Sequence, residues 1–190
     1  MDWKNIDKRQ LITILACFAG TILVTALIRV DMPFTYTLGK EQVSAGVYAT
    51  LGDVCIFASV LLLGAPWGVI VSAVGAAFAD LFVGSNLFII GSLIIKSLMA
   101  LFVAAFAAKC DDWKKCLVVA GMTEAIMVLG YFVYDLLIVR EFVVAGLAFL
   151  TDLAQGVVCG AIGAVILRYL PPMQPDKLLE IRRSPKEEEF

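Results

Sequence analysis

Six ionisable residues, Asp53, Asp80, Lys96, Glu124, Asp135 and Asp152, lie inside long apolar stretches of this chain. A charge at the centre of a membrane helix costs about 2.5 to 3.5 kcal/mol on insertion scales, so six of them in one small bundle point to a polar site. The chemistry they offer is recognition: carboxylates accept hydrogen bonds and attract cations, and an ammonium donates. Their spacing groups them. Glu124, Tyr131 and Asp135 fall at i, i+7 and i+11, with Tyr134 beside them, and Asp152 and Gln155 at i and i+3. Each set shares one helix face. The alternative is structural, with Lys96 neutralising one carboxylate and the others acting as polar contacts between helices. It suits Asp80 and Glu124, and accounts poorly for several acids at one depth beside a single internal cation.

The elements that must hold these residues are membrane helices. The chain is 61% hydrophobic and 17% charged, against about 25% charged in soluble domains. Apolar runs at Leu11 to Val30, Gly46 to Leu63, Trp67 to Phe82, Phe88 to Ala108, Cys116 to Ile138 and Ala145 to Leu170 predict six spans. The fold class expected is an all-α integral membrane protein, a six-helix bundle. The second and third runs are short against the ~20 residues a span needs, and Gly64, Ala65 and Pro66 mark the turn between them. Continuous rather than alternating apolar character argues against a strand barrel. The first run follows Lys4, Lys8 and Arg9 but is too long for a signal-peptide core and lacks a cleavage site, so a retained helix is expected. A net charge of −2 without a basic block gives no case for nucleic acid.

Lys and Arg distribution sets the orientation. With both termini cytoplasmic, the inner side holds Lys4, Lys8 and Arg9, then Lys109, Lys114 and Lys115, then Arg168, Lys177, Arg182, Arg183 and Lys186; the outer side holds Arg29, Lys40 and Arg140. That bias predicts N-in, C-in. Trp3, Trp67 and Trp113 all fall at the inner interface. Three regions result: a cytoplasmic segment at 1–10, the membrane domain at 11–170 and a cytoplasmic tail at 171–190. At a rise of about 1.5 Å per residue, Asp53, Lys96 and Asp152 each lie about 10 to 12 Å from the outer end of their helices. Asp135 is nearer the outer surface, Asp80 stands at the outer end of its helix and Glu124 is closest to the middle. The expected site is an outward-opening pocket of Asp53, Lys96, Tyr131, Tyr134, Asp135, Asp152 and Gln155.

Several segments in order carry a resemblance: Tyr48-Ala49-Thr50-Leu51-Gly52-Asp53, Leu62-Leu63-Gly64-Ala65-Pro66-Trp67-Gly68, Gly75-Ala76-Ala77-Phe78-Ala79-Asp80-Leu81, Ile94-Ile95-Lys96, Gly130-Tyr131-Phe132-Val133-Tyr134-Asp135 and Asp152-Leu153-Ala154-Gln155-Gly156. Together they resemble the substrate-binding S components of energy-coupling factor (ECF) vitamin transporters, in particular the riboflavin group. The resemblance implies a multi-pass subunit of a prokaryotic plasma membrane that captures a vitamin or precursor from outside, in a pocket of the last three helices. Outer loops would cap that pocket, here Asp31 to Ser44. Its partners would be a transmembrane coupling protein and two ATPases, on which the loaded subunit topples. The chain itself has no Gly-x4-Gly-Lys-Ser/Thr phosphate loop. Docking in the family uses small residues on helix 1; here Ala16-x3-Gly20 stands, followed by Thr21-x3-Thr25. Gly156-x3-Gly160-x3-Ala164 is expected to pack inside the bundle.

Where the family usually carries Asn, this chain has Asp152. A carboxylate only accepts, which favours a donor-bearing or cationic nitrogen heterocycle such as a vitamin B6 form or the hydroxymethylpyrimidine precursor of thiamine, ahead of riboflavin. No cofactor and no catalytic residue are expected. With no His and five scattered Cys, a metal site has no support. Two rivals remain: a membrane enzyme using the buried carboxylates, and a stand-alone channel or carrier without ATPase partners.

Overall fold

The structure, a computed structural model, describes residues 8–38, 41–138, 140 and 142–173, and the side chains of these except 32–38 and 41–47. Residues 1–7 and 174–190 of the two expected cytoplasmic segments, and Lys40, lie outside the described residues. The chain runs α1 (Lys8–Leu27), β1 (Arg29–Leu38), β2 (Glu41–Thr50), α2 (Gly52–Val83), α3 (Ile89–Phe106), α4 (Trp113–Ile138) and α5 (Phe142–Tyr169). Short 3-10 turns at Asn86–Phe88 and Ala107–Lys109 bracket α3.

Among the described residues five helices are long and apolar enough to cross a membrane, where six runs were expected. The difference lies in α2, which joins the second and third runs. Its helix breaks at Gly64, whose φ of 75° and ψ of 179° leave helical space, with Pro66 in the next turn. A positive φ is cheap only for glycine. The break reverses the chain. Asp53 and Asp80 would stand about 40 Å apart along an unbroken helix, yet both line one cavity. A Cβ on Gly68 would also meet Val60 Cα at 2.7 Å, a residue eight positions back. The two arms of α2 therefore lie side by side.

A second correction concerns residues 29–50. The first run was expected to reach Val30 and the second to begin at Gly46, but both stretches are strands of an antiparallel hairpin, with Arg29 opposite Thr50 and Asp31 opposite Tyr48. Of the expected cap at Asp31 to Ser44, the described residues 31–38 and 41–44 lie in this hairpin. The Leu51 N–H donates to the Ile28 carbonyl at 3.2 Å, closing the hairpin onto the ends of α1 and α2.

α2 packs against α1 and α3, and α4 packs against α3 and α5. Lipid is as apolar as leucine, so close packing and polar contacts hold such helices together more than water exclusion does. The core centres on Phe57, Val60, Met99, Val103 and Met127, all fully enclosed. Small residues permit the approach: a Cβ on Gly163 would meet the Phe57 ring at 2.5 Å, and on Gly156 would meet Glu124 Cβ at 3.3 Å. Gly156, Gly160 and Ala164 are all buried, the internal role expected of them. At the far end of the bundle from the hairpin, the Met173 N–H donates to the Leu61 carbonyl at 2.9 Å.

Candidate functional site

The helix ends beneath the hairpin enclose a cavity of about 690 Å³, counted out to its open mouth. Its most ordered part is a buried network around Asp53, which is 1% exposed. Asp53 Oδ1 pairs with Lys96 Nζ, and Asp53 Oδ2 accepts from Gln155 Nε2 at 2.6 Å. Gln155 Oε1 in turn accepts from the Thr50 N–H at 2.7 Å, and the Thr50 hydroxyl donates to the Thr25 carbonyl at 3.2 Å. Lys96 Nζ also lies 5.1 Å from the centre of the Tyr131 ring, within cation–π range. One carboxylate thus ties β2, α2, α3 and α5 together. Both its oxygens are satisfied, which is what makes a buried ion pair tolerable.

The other lining groups are less fully bonded. The Tyr48 phenol on β2 donates to Asp80 Oδ1. Burial, ahead of the neighbouring Asp80 charge, pushes the Tyr48 phenol up, so it keeps the proton it donates. Ser92 Oγ and the Tyr131 hydroxyl share a hydrogen bond of 2.7 Å. Asp135 and Asp152 line the same cavity, both buried, and Asp152 stands within electrostatic reach of Lys96, Asp135 and Asp53. Asp80 Oδ2, Asp135 Oδ1 and Ser72 Oγ have no hydrogen-bond partner among the described residues. The arrangement can hold a small molecule rich in donors. It offers no His and, among the described residues, no group of side chains placed to hold a metal.

A sequence model of the ECF-type riboflavin transporter S component family matches residues 12–171. The chain belongs to this family. It is therefore a multi-pass membrane protein that serves vitamin uptake as a substrate-binding subunit, and not an enzyme. No curated protein matches it in sequence.

Of the residues proposed from sequence as the binding site of this S component, Asp53, Lys96, Tyr131, Asp135, Asp152 and Gln155 converge on the one cavity. Tyr134 does not line it. Its hydroxyl donates to the Leu87 carbonyl at 2.5 Å and its ring packs on Phe88 and Gly91, so it pins the start of α3 to α4. Tyr131 and Asp135 are one helical turn apart and face the cavity, whereas Tyr134 turns toward α3. Glu124 is also off the cavity, 3% exposed against Gly156 and Gly160. Asp80, placed from sequence at the outer end of its helix and read as structural, is 2% exposed, accepts from the Tyr48 hydroxyl and forms part of the cavity wall. Sequence reasoning passed over Tyr48, Thr50, Ser92 and Phe88 as lining residues. On α1, Ala16 is exposed and Gly20 meets nothing within 4 Å, while Thr21 and Thr25 are buried against Gly75 and Gly52. The two threonines line the cavity, so of the expected docking pattern only Ala16 and Gly20 stay on the outward side.

Proposed function

We propose that this S component captures a small, donor-rich vitamin or vitamin precursor from the outer side of a prokaryotic plasma membrane, in the cavity under the β hairpin. The chain crosses with both termini inside, counting the two arms of α2 as separate passes, six in all. The inner end then carries the Lys109, Lys114 and Lys115 cluster and Arg168, and the outer end carries the hairpin and cavity. The outward small face at Ala16 and Gly20 docks on a transmembrane coupling protein served by two ATPases, and toppling of the loaded subunit delivers the ligand inward.

One observation carries the substrate class. Among the described residues Lys96 is the one cation lining the cavity, and it is committed to Asp53, which leaves Asp80, Asp135 and Asp152 to face the ligand. Three acceptor-only groups favour a ligand that brings N–H or O–H donors or a positive charge. A vitamin B6 form or hydroxymethylpyrimidine meets that need with ring-bound amino or hydroxymethyl groups. Riboflavin is the second reading, supported by the family match and by the donors of its polyol chain. Titrating the purified protein with pyridoxine, hydroxymethylpyrimidine and riboflavin tests the order. Tighter binding of either of the first two is expected, and riboflavin binding tighter than both reverses it.

A further inference from the structure

Carboxylates can bond the donors at the edge of a ring ligand, but the faces of the ring call for apolar or aromatic contact. Of the described lining residues, Ile56, Ala76 and Phe88 carry purely apolar side chains. Ile56 is 1% exposed and belongs to the core, and Ala76 offers a single methyl group. Phe88 is the large one left to meet a ligand. The backbone that carries it is fixed on both sides. Gly84 ends α2 at φ 83°, and the Ser85 N–H donates to the Asp80 carbonyl at 2.8 Å, which turns the chain toward α3. The Phe88 N–H then donates to the Ser85 carbonyl at 2.9 Å, and the Leu87 carbonyl accepts from the Tyr134 hydroxyl at 2.5 Å. Leu87 and Ile90 are exposed, whereas Phe88 turns into the cavity. Its ring lies 6.0 Å from that of Tyr134, outside the cavity, and 6.4 Å from that of Tyr131, both within the range of aromatic pairs. The other aromatic rings of the wall are already engaged, Tyr131 by Lys96 at 5.1 Å and Tyr48 by Arg29 at 5.9 Å.

We propose that Phe88 is the platform against which the planar ring of the ligand packs, and that Tyr134, without touching the ligand, is the residue that positions this platform. The ligand class narrows accordingly to a flat heteroaromatic ring with its polar substituents at the edge, where the carboxylates reach them. A donor-rich but non-planar molecule, such as a free sugar alcohol, satisfies the carboxylates and leaves Phe88 unused. Tyr134 acts through the turn that carries Phe88, by its hydroxyl on the Leu87 carbonyl and its ring behind the platform. The inference rests on the cavity being the vitamin site.

The test compares wild type, Phe88→Leu, Phe88→Trp, Tyr134→Phe and the double variant Phe88→Leu with Tyr134→Phe, purified in detergent and titrated with pyridoxine, hydroxymethylpyrimidine and riboflavin. Leu keeps an apolar side chain but no ring, so Phe88→Leu is expected to weaken whichever ligand wild type binds by about threefold to tenfold, the scale of one aromatic pair. Phe88→Trp restores the affinity, and its added indole is quenched at saturation beyond the change in wild type, which serves as the blank for the three native tryptophans. Tyr134→Phe removes only the hydroxyl and weakens binding less than Phe88→Leu does. In the Phe88→Leu background it adds nothing, because its effect passes through the platform. Binding by Phe88→Leu as tight as that of wild type overturns the platform, as does ligand bound to Phe88→Trp without the extra quenching. A Tyr134→Phe loss of the same size with and without Phe88 overturns the positioning role. The cavity reading is measured separately, by ligand binding to wild type and its loss in Asp152→Ala. If none of the three ligands binds wild type, both the reading and the platform fall.

Discussion

The Asp53–Lys96 pair is where the physics of a buried charge is sharpest. Each partner is nearly fully enclosed, and Gln155 and Thr50 complete the bonding around them. Removing one member strands the other, a loss of about 3–5 kcal/mol for buried pairs, while removing both leaves no charge to strand. Lys96→Met is therefore expected to lower the thermal midpoint in detergent markedly, and the double change Asp53→Asn with Lys96→Met to recover part of that loss. Strictly additive effects in this cycle contradict the pairing. Gln155→Leu is milder, at about 1–3 kcal/mol, because it leaves the Thr50 N–H and one Asp53 oxygen unsatisfied. Thermal unfolding measured alongside the other variants checks that order, and a Gln155→Leu loss as large as that of Lys96→Met contradicts it.

At the scale of elements, the reversal within α2 depends on glycine at two places for different reasons. Gly64 supplies a positive φ, and Gly68 lets one arm lie against the backbone of the other. Gly68→Ala pushes a methyl group into Val60 Cα, which no side-chain rotation relieves. It is expected to cut folded yield sharply. Gly20→Ala adds a methyl group that meets nothing within 4 Å, and by helix propensity it stabilises by about 0.5–1 kcal/mol or is neutral. Size-exclusion profiles of the two variants give the comparison, and equal tolerance contradicts the side-by-side arms. These elements also show what the sequence could reveal. The apolar runs that became α1, α3, α4 and α5 were legible because a bilayer imposes a minimum length on any helix that crosses it. The hairpin was not, since Gly46 to Thr50 carries no charge and runs straight on into the helical pattern. The depth of Asp80 was not legible either. Depth counted from a helix end assumes that the end meets water, and here the hairpin covers it. Tyr131, Asp135, Asp152 and Gln155 were legible because helical periodicity fixes a shared face, although it did not separate Tyr134 and Glu124 from the cavity.

For the whole molecule, the proposed function puts ligand capture and docking on different surfaces: the cavity beneath the hairpin, and the outward face of α1. α1 contributes to both through opposite sides, with Thr21 and Thr25 inward and Ala16 and Gly20 outward. A bulky residue on the outward side is expected to separate the two activities. Gly20→Trp should retain ligand binding in detergent yet lose co-purification of the ATPase subunits and uptake in cells; retained uptake contradicts docking through this face. The central claim is that the carboxylate-lined cavity holds a vitamin. It is tested most directly by denaturing purified wild-type and Asp152→Ala proteins and identifying the released small molecule by mass spectrometry. Wild type is predicted to release a vitamin-class nitrogen heterocycle that Asp152→Ala, folded to the same extent, retains at no more than a small fraction of the wild-type amount. Equal retention by the two proteins contradicts the claim.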